Sequence, residues 1–329
     1  MITRRNALRA TIAVASLPIA GRAWAQRPDP AYPTRPIRVV VPFTPGGGTD
    51  LLMRLIGQSL ATRLGRNLVI DNVGGAGGTI GAMQVVHASS DGYSLLCGTP
   101  GSIAINPVVQ AGIGYDPRTD LSPIAQLTDS PVVLVCNNGF DLKSVGDLVE
   151  RAKAAPGKIA FGSAGPGSLS HLSGAMFCAI TGAQLVHVPY RGTGQSLVDL
   201  RAGRIQVLFE NMPAVMSAIG SGLIKAIAVG TAQPSDLLPQ LPTIAATGAP
   251  GYVSSSYTGI LAPAKTPDAV LERVSIACAE TLQDAELSKR LHALGATPTP
   301  SSPAEFGAFI AQRIADVTKV AHATGLGFN

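Results

Sequence analysis

The sequence predicts an α/β protein with two lobes, each a mainly parallel sheet flanked by helices. Short apolar runs such as 37–41 alternate with helical stretches such as 51–64 along most of the 329 residues, which is typical of βαβ units. Two loop-rich stretches, 115–130 and 232–250, are spaced like paired crossings between lobes. They predict a first lobe of residues 26–130 plus 232–329, with a second lobe of residues 131–231 inserted between its halves.

The individual elements follow from apolar spacing. We expect strands at 37–41, 67–71, 94–97, 132–136, 159–161, 184–188, 205–209 and 224–229. We expect helices at 51–64, 79–88, 144–154, 168–180, 195–202 and 212–219, with a helical tail at 267–294 and 303–324.

The first 25 residues are predicted to be an export signal. Arginines precede a short apolar stretch, and Ala23-Trp24-Ala25 forms an A-x-A cleavage pattern. The segment 3–9 resembles a twin-arginine signal, but an ordinary Sec leader with two arginines fits as well. We expect a periplasmic or secreted protein. Four arginines and no acidic residue lie in this segment, so much of the formal charge of +5 leaves with it. The charge therefore does not predict nucleic-acid binding.

The composition gives no sign of a metal or cofactor site. The sequence has neither paired-ligand histidine spacing nor a C-x-x-C motif. Its glycine loops match neither the Walker A nor the G-x-G-x-x-G pattern. The four cysteines lie in apolar contexts, and we expect free core thiols: Cys97, Cys136, Cys178 and Cys278.

Two glycine-rich loops carry the predicted chemistry. The first, 42–50, and the second, 161–171, each follow a strand and open a helix. A helix N-terminus presents unpaired N–H groups and a partial positive charge, and it binds an anion without a charged side chain. The alternative is a serine hydrolase that uses Ser163 or Ser168, but neither loop matches G-x-S-x-G. We therefore expect binding rather than catalysis.

Several motifs in order give the chain a family resemblance. Residues 32–37, 41–50, 75–78, 91–96, 162–168, 188–194 and 261–263 resemble the Bug family, the periplasmic receptors of tripartite tricarboxylate transporters. The resemblance implies a Venus-flytrap fold that closes on a small organic anion. It also implies a monomer that delivers its ligand to membrane permease subunits and is not an enzyme.

The resemblance places the ligand between the two loops. It assigns ligand-binding roles to Phe43, Thr44, Gly46, Gly47, Gly48, Thr49, Thr99, Ser102, Ser163, Gly165, Gly167, Ser168, Tyr190, Thr193 and Glu210. Tyr190 is equally explained by packing near the hinge.

The ligand itself stays open at this stage. If Glu210 faces the cleft, it favours an amino acid, because a carboxylate pairs with an ammonium group. If it faces away, a plain di- or tricarboxylate or an aromatic acid fits better. A sensory co-receptor for a two-component system would have the same fold.

Overall fold

The computed structural model describes residues 32–324 and Gly327, so the predicted export signal lies outside the described residues. The strands are β1 Ile37–Val41, β2 Leu68–Asn72, β3 Ser94–Gly98, β4 Leu121–Cys136, β5 Ala160–Ser163, β6 Val186–Pro189, β7 Val207–Asn211, β8 Lys225–Val229, β9 Ser255–Pro263 and β10 Thr297–Pro298. The helices are α1 Gly48–Leu64, α2 Thr79–Val86, α3 Asn106–Val109, α4 Val145–Ala154, α5 Leu169–Thr181, α6 Thr193–Arg201, α7 Met212–Gly220, α8 Ile244–Thr247, α9 Asp268–Leu282, α10 Ala285–Ala293 and α11 Pro303–Thr324. A π-helical turn at Gly101–Ile105 precedes α3.

One long strand, β4, belongs to the sheets of both lobes. Its first part pairs antiparallel with β9 and β10, and its last part pairs antiparallel with β7 and β8. Around it, the first sheet continues as β9-β3-β1-β2 and the second as β7-β5-β6. The pairs β1–β2, β1–β3, β5–β6 and β5–β7 are parallel. The two-lobed α/β fold is the one expected from the sequence, but both sheets are mixed rather than mainly parallel, because the pairs that involve β4 and β9 are antiparallel.

Each sheet is buried on both faces. In the first lobe, Val39 and Leu95 pack against α1 and α9 on one face, while Val40 and Leu96 pack on the other. In the second lobe, the side chains of β4 likewise alternate between two apolar clusters. Parallel strands that are buried on both faces consist of nearly continuous apolar residues. Most of these strands have that pattern, so they are easy to predict from the sequence.

Two strands at the centre of the first sheet differ from the sequence expectation. The stretch 115–130 was expected as a loop, yet β4 begins at Leu121, and β9 was not predicted as a strand. Pro123 and Pro131 hide β4, because proline is uncommon inside a sheet. The structure accommodates Pro123 beside a shift in the pairing register with β9.

The second crossing between the lobes lies later than residue 231. Leu238, Ile244, Ala249 and Tyr252 are buried in the two cores of the second lobe, and Val229 bridges to Thr243. The chain returns to the first sheet with Ser255, which is opposite Pro131 in β4. We therefore assign residues 232–254 to the second lobe.

The cysteines and the helix lengths of the described residues give two further findings. All four cysteines are free, and Cys178 alone among them is partly exposed. Across residues 32–324, no helix combines the length and apolar character needed to cross a membrane.

Candidate functional site: the cleft between the lobes

A small cavity of about 30 Å³ lies between the lobes. Nine of the predicted ligand-binding residues line it: Phe43, Thr44, Gly47, Gly48, Thr49, Thr99, Ser168, Thr193 and Glu210. The structure therefore brings both loops to one place.

Four helix N-termini point their first turns at this cavity. Its lining includes Gly48 at the start of α1, Leu169 of α5, Thr193 of α6 and Asn211 just before α7. Each N-terminus carries a partial positive charge of about half a unit. Glu210 is the one ionisable side chain in the lining, so the positive potential there comes from backbone dipoles.

The four N-termini differ in how they are capped. Ser168 accepts from the His171 N–H at α5, and Asn211 accepts from the Ala214 N–H at α7. At α1 and α6, glycine is the N-cap residue and no described side chain caps the helix. The N–H groups of α1 and α6 are therefore the ones left to bind an anion.

The first loop is held by a buried carboxylate. Asp50 is 2% exposed and accepts hydrogen bonds from the Gly46 N–H at 2.9 Å and from Asn72 Nδ2 at 2.9 Å. Arg54 Nε donates to it at 3.0 Å. Burial raises the pKa of Asp50, but the hydrogen bonds from Arg54, Gly46 and Asn72 outweigh burial and hold the pKa below its usual value. The loop keeps its shape around an ionised group.

The second loop is held by neutral groups. Ser163 Oγ lies 2.7 Å from His187 Nε2 and accepts from the Gly165 N–H at 3.1 Å. His171 Nδ1 accepts from the Gly167 N–H at 3.3 Å. The two imidazole rings stack with centroids 3.9 Å apart. Burial, then the neighbouring His187, lowers the pKa of His171 to about 4, and burial lowers that of His187. Both rings are therefore neutral near pH 7.

The serines of the second loop are not arranged as nucleophiles. Ser168 Oγ donates to the Gly165 carbonyl at 2.6 Å. His171 Nδ1 accepts from the Gly167 N–H and is therefore not paired with the Ser168 hydroxyl. Ser163 does face His187, but its side chain is fully buried. Ser163 does not line the cavity, and these contacts place both hydroxyls in support of the loop structure.

Glu210 faces the cleft, which answers the question left open by the sequence. It is 3% exposed and lines the cavity. Thr193 Oγ1 donates to it at 3.0 Å and the Asn211 N–H donates to it at 2.9 Å. Burial raises its pKa to about 7 against these hydrogen bonds.

Six predicted site residues do not line the cavity: Gly46, Ser102, Ser163, Gly165, Gly167 and Tyr190. Most of them shape the loops from behind. Ser102 Oγ accepts from the Thr99 N–H at 3.0 Å, and Gly46 has the positive φ of 79° that its turn requires. Tyr190 packs in the second lobe and donates to Asp199 at 2.8 Å, so packing explains it.

Sequence reasoning missed seven lining residues: Pro100, Gly101, Ala164, Leu169, Ser170, Asn211 and Ser256. Ala164, Leu169 and Ser170 lie within the second loop, so its motif could have found them. Ser256 lies on the unpredicted strand β9, and nothing local marks it.

The lobes touch closely around the cavity. A Cβ on Gly48 would collide with Asn211 and with the Ala214 backbone of the other lobe. A Cβ on Gly192 would meet Thr44, and one on Gly77 would meet Pro166 and Gly167. Glycine is needed at these contacts because any side chain would hold the lobes apart.

The family assignment follows from comparison with known proteins. Residues 52–326 match the family model of the tripartite tricarboxylate transporter receptor, TctC. This chain belongs to that receptor family. Protein BugT of Bordetella pertussis is 36% identical over 295 residues, which is 89% of this chain and 90% of BugT.

Solved structures of similar proteins agree with the family assignment. The R. palustris protein Rpa4515, solved with adipate, is 36% identical with a TM-score of 0.87, covering 90% of this chain and 99% of its own. The periplasmic binding protein BugD is 32% identical with a TM-score of 0.86, covering 90% and 99%. MatC from Rhodopseudomonas palustris, solved with malate, is 29% identical with a TM-score of 0.84, covering 88% and 99%.

Proposed function

We propose that this protein is a periplasmic receptor that captures a small organic carboxylate in the cleft. The observation that carries the proposal is the convergence of four helix N-termini, two of them without a side-chain cap, on one cavity. Relatives solved with adipate and malate support a carboxylate.

The carboxylate lies in the cavity that both glycine-rich loops line. The uncapped N–H groups of α1 and α6 come from opposite lobes and bind its oxygens. Fixed dipoles balance the charge, so the site avoids the desolvation cost of a buried lysine or arginine.

Binding and closure are coupled in this receptor. The ligand contacts both lobes only when they are closed, so it favours the closed form over the open one. The closed form then docks on the membrane permease subunits of a tripartite tricarboxylate-type transporter, as the family assignment supports.

Calorimetry on refolded protein tests the carboxylate site. Protein is unfolded and refolded to strip co-purified ligand, then titrated with succinate, glutarate, adipate, malate, aspartate and glutamate. The diamides of succinate and adipate are matched controls without charge. We expect saturable binding of at least one acid and none of its diamide. Equal binding of acid and diamide, or binding of none of the acids, contradicts the proposal.

A further inference from the structure

Glu210 sets a chemical condition on the ligand. The cavity is lined otherwise by neutral residues and helix N-termini, which suit an anion. A second anion beside the Glu210 carboxylate would be repelled, so a plain dicarboxylate does not explain why this group is there. A group that donates hydrogen bonds and carries positive charge does explain it.

The hydrogen bonds to Glu210 leave room for such a group. An ionised carboxylate has about four acceptor positions, and the Thr193 hydroxyl and the Asn211 N–H occupy two. Both donors come from the second lobe and fix the carboxylate in place. The remaining acceptor positions are available to a ligand in the cavity.

We propose that the receptor binds an amino acid, whose carboxylate lies on the uncapped helix N-termini and whose ammonium group donates to Glu210. This inference rests on the proposed function and narrows its ligand class. Buried charges in proteins are paired or hydrogen-bonded, and here the ligand supplies the partner. Glu210 thus discriminates an amino acid from the matched acid without the amino group.

The protonation state of Glu210 gives the proposal a signature beyond affinity. Its pKa near 7 means that about half of the unliganded molecules carry the proton at pH 7. An ammonium ion ionises the group and releases about half a proton. A plain dicarboxylate brings negative charge close, raises the pKa further and takes protons up.

Other titratable groups on the elements packed against β7 and α7 do not confuse this signature between pH 7 and 8. They are Asp50 on α1, His171 on α5, Asp199 on α6 and Asp129 on β4. The pKa values of Asp50 and Asp199 are lowered, that of His171 is lowered to about 4, and that of Asp129 is raised to about 6. Between pH 7 and 8 their charges stay nearly constant, whereas Asp129 gains protons toward pH 6.5.

The test compares amino acids with their deaminated counterparts. Refolded receptor is titrated with aspartate and succinate, glutamate and glutarate, and alanine and propionate, at pH 6.5, 7 and 8 in two buffers of different ionisation enthalpy. We expect one amino acid to bind at least about ten-fold more tightly than its counterpart, since one charged hydrogen bond is worth about that factor. Its affinity rises from pH 6.5 to 8, with proton release at pH 7.

Glu210→Gln isolates the residue. It keeps an acceptor oxygen for Thr193 or Asn211 but removes the charge, so the preference for the amino acid falls about ten-fold. Glu150→Gln, at an exposed position on α4, should leave the preference unchanged. If Glu210→Gln does not fold, the number of protons that the wild-type receptor releases or takes up on binding still distinguishes an amino acid from a plain acid.

The outcomes separate the two proposals. If succinate, glutarate or propionate binds as tightly as its amino acid, with proton uptake, the amino-acid inference is overturned while the carboxylate receptor stands. If no compound of either kind binds, both proposals fail.

Discussion

The two glycine-rich loops hold matching positions in the two lobes but are supported by different chemistry. The first loop is organised around Asp50, a buried carboxylate kept ionised by three donors. The second is organised around the stacked neutral rings of His171 and His187. An ionised anchor gives strong charge-assisted bonds, whereas neutral anchors make a loop that is weaker and sensitive to acid. The two halves of one binding site therefore differ in strength and in pH response.

The contact between the first loop and the second lobe gives the largest expected effect. Gly48→Val forces a side chain against Asn211 and Ala214, so closure is blocked and carboxylate affinity falls about 100-fold. Thermal unfolding in the absence of ligand should change little, because the open form has room. Gly220 lies at the exposed end of α7 with no atom within 4 Å of an added Cβ, so Gly220→Val serves as the control. Retained affinity in Gly48→Val would show that closure does not need this contact.

Removing the anchor of the first loop gives the next largest effect. Asp50→Ala leaves the half-exposed Arg54 charge, the Asn72 amide and the Gly46 N–H without their partner, at a cost of about 2 kcal/mol. Urea unfolding measures it. Glu286→Gln removes an ion pair between side chains that are 73% and 77% exposed, and it should cost less than about 0.5 kcal/mol. Equal losses of stability in the two variants would contradict the distinction between the buried Asp50 anchor and an exposed ion pair.

Removing the anchor of the second loop should cost less. His187→Phe keeps an aromatic ring beside His171 and Phe161 but leaves the Ser163 hydroxyl without its ring partner, so stability falls by about 1 kcal/mol. Carboxylate affinity falls about three- to ten-fold as the loop loosens. His87→Phe, at an exposed position, is the control. A loss as large as that of Asp50→Ala would mean that the loops are anchored equally.

The smallest effect is the response to acid. His171 has a lowered pKa in the folded state, so the unfolded chain binds more protons and stability falls as pH drops from about 6.5 to 4. The Asp50 contribution persists across that range, since it is lost only below the carboxyl's ordinary pKa. Glu210, with a raised pKa, acts in the opposite direction below pH 7.

Glu210 contributes equally to the pH dependence of stability in wild type and in His171→Gln, so its contribution cancels when the two are compared. We expect the stability difference between them to shrink by about 1 kcal/mol from pH 7 to 4, with allowance for partial exposure of the ring. Unfolding in urea at each pH measures it. A pH-independent difference would show that His171 is not the acid-sensitive part.

The sequence was most informative where local chemistry determines the structure. The strands β1 and β5 and the loops after them are marked by apolar runs followed by glycines, and both loops reach the cavity. It was least informative where distant residues decide the structure. Strand β9 contains Gly259, whose space is filled by Phe306, and its pairing with β3 and β4 joins segments more than 120 residues apart.

The same limit applies to the candidate site. Thr193 and Glu210 were expected from family resemblance, and the structure adds the hydrogen bond between them. Ser256 and Asn211 line the cavity because of the way the two lobes are arranged, which no local sequence pattern indicates. Periodicity does not reveal which residues face one another across a cleft, because that depends on the crossings at Pro131 and Ser255.

The position of β9 also has a consequence for the order in which the chain acquires its structure during synthesis. β9 lies between β3 and β4, so the first sheet is incomplete until residue 263 has left the ribosome. The second lobe has all of its strands by residue 229. We therefore expect the inserted lobe to become protease-resistant first in nascent chains of increasing length, although it begins later in the sequence.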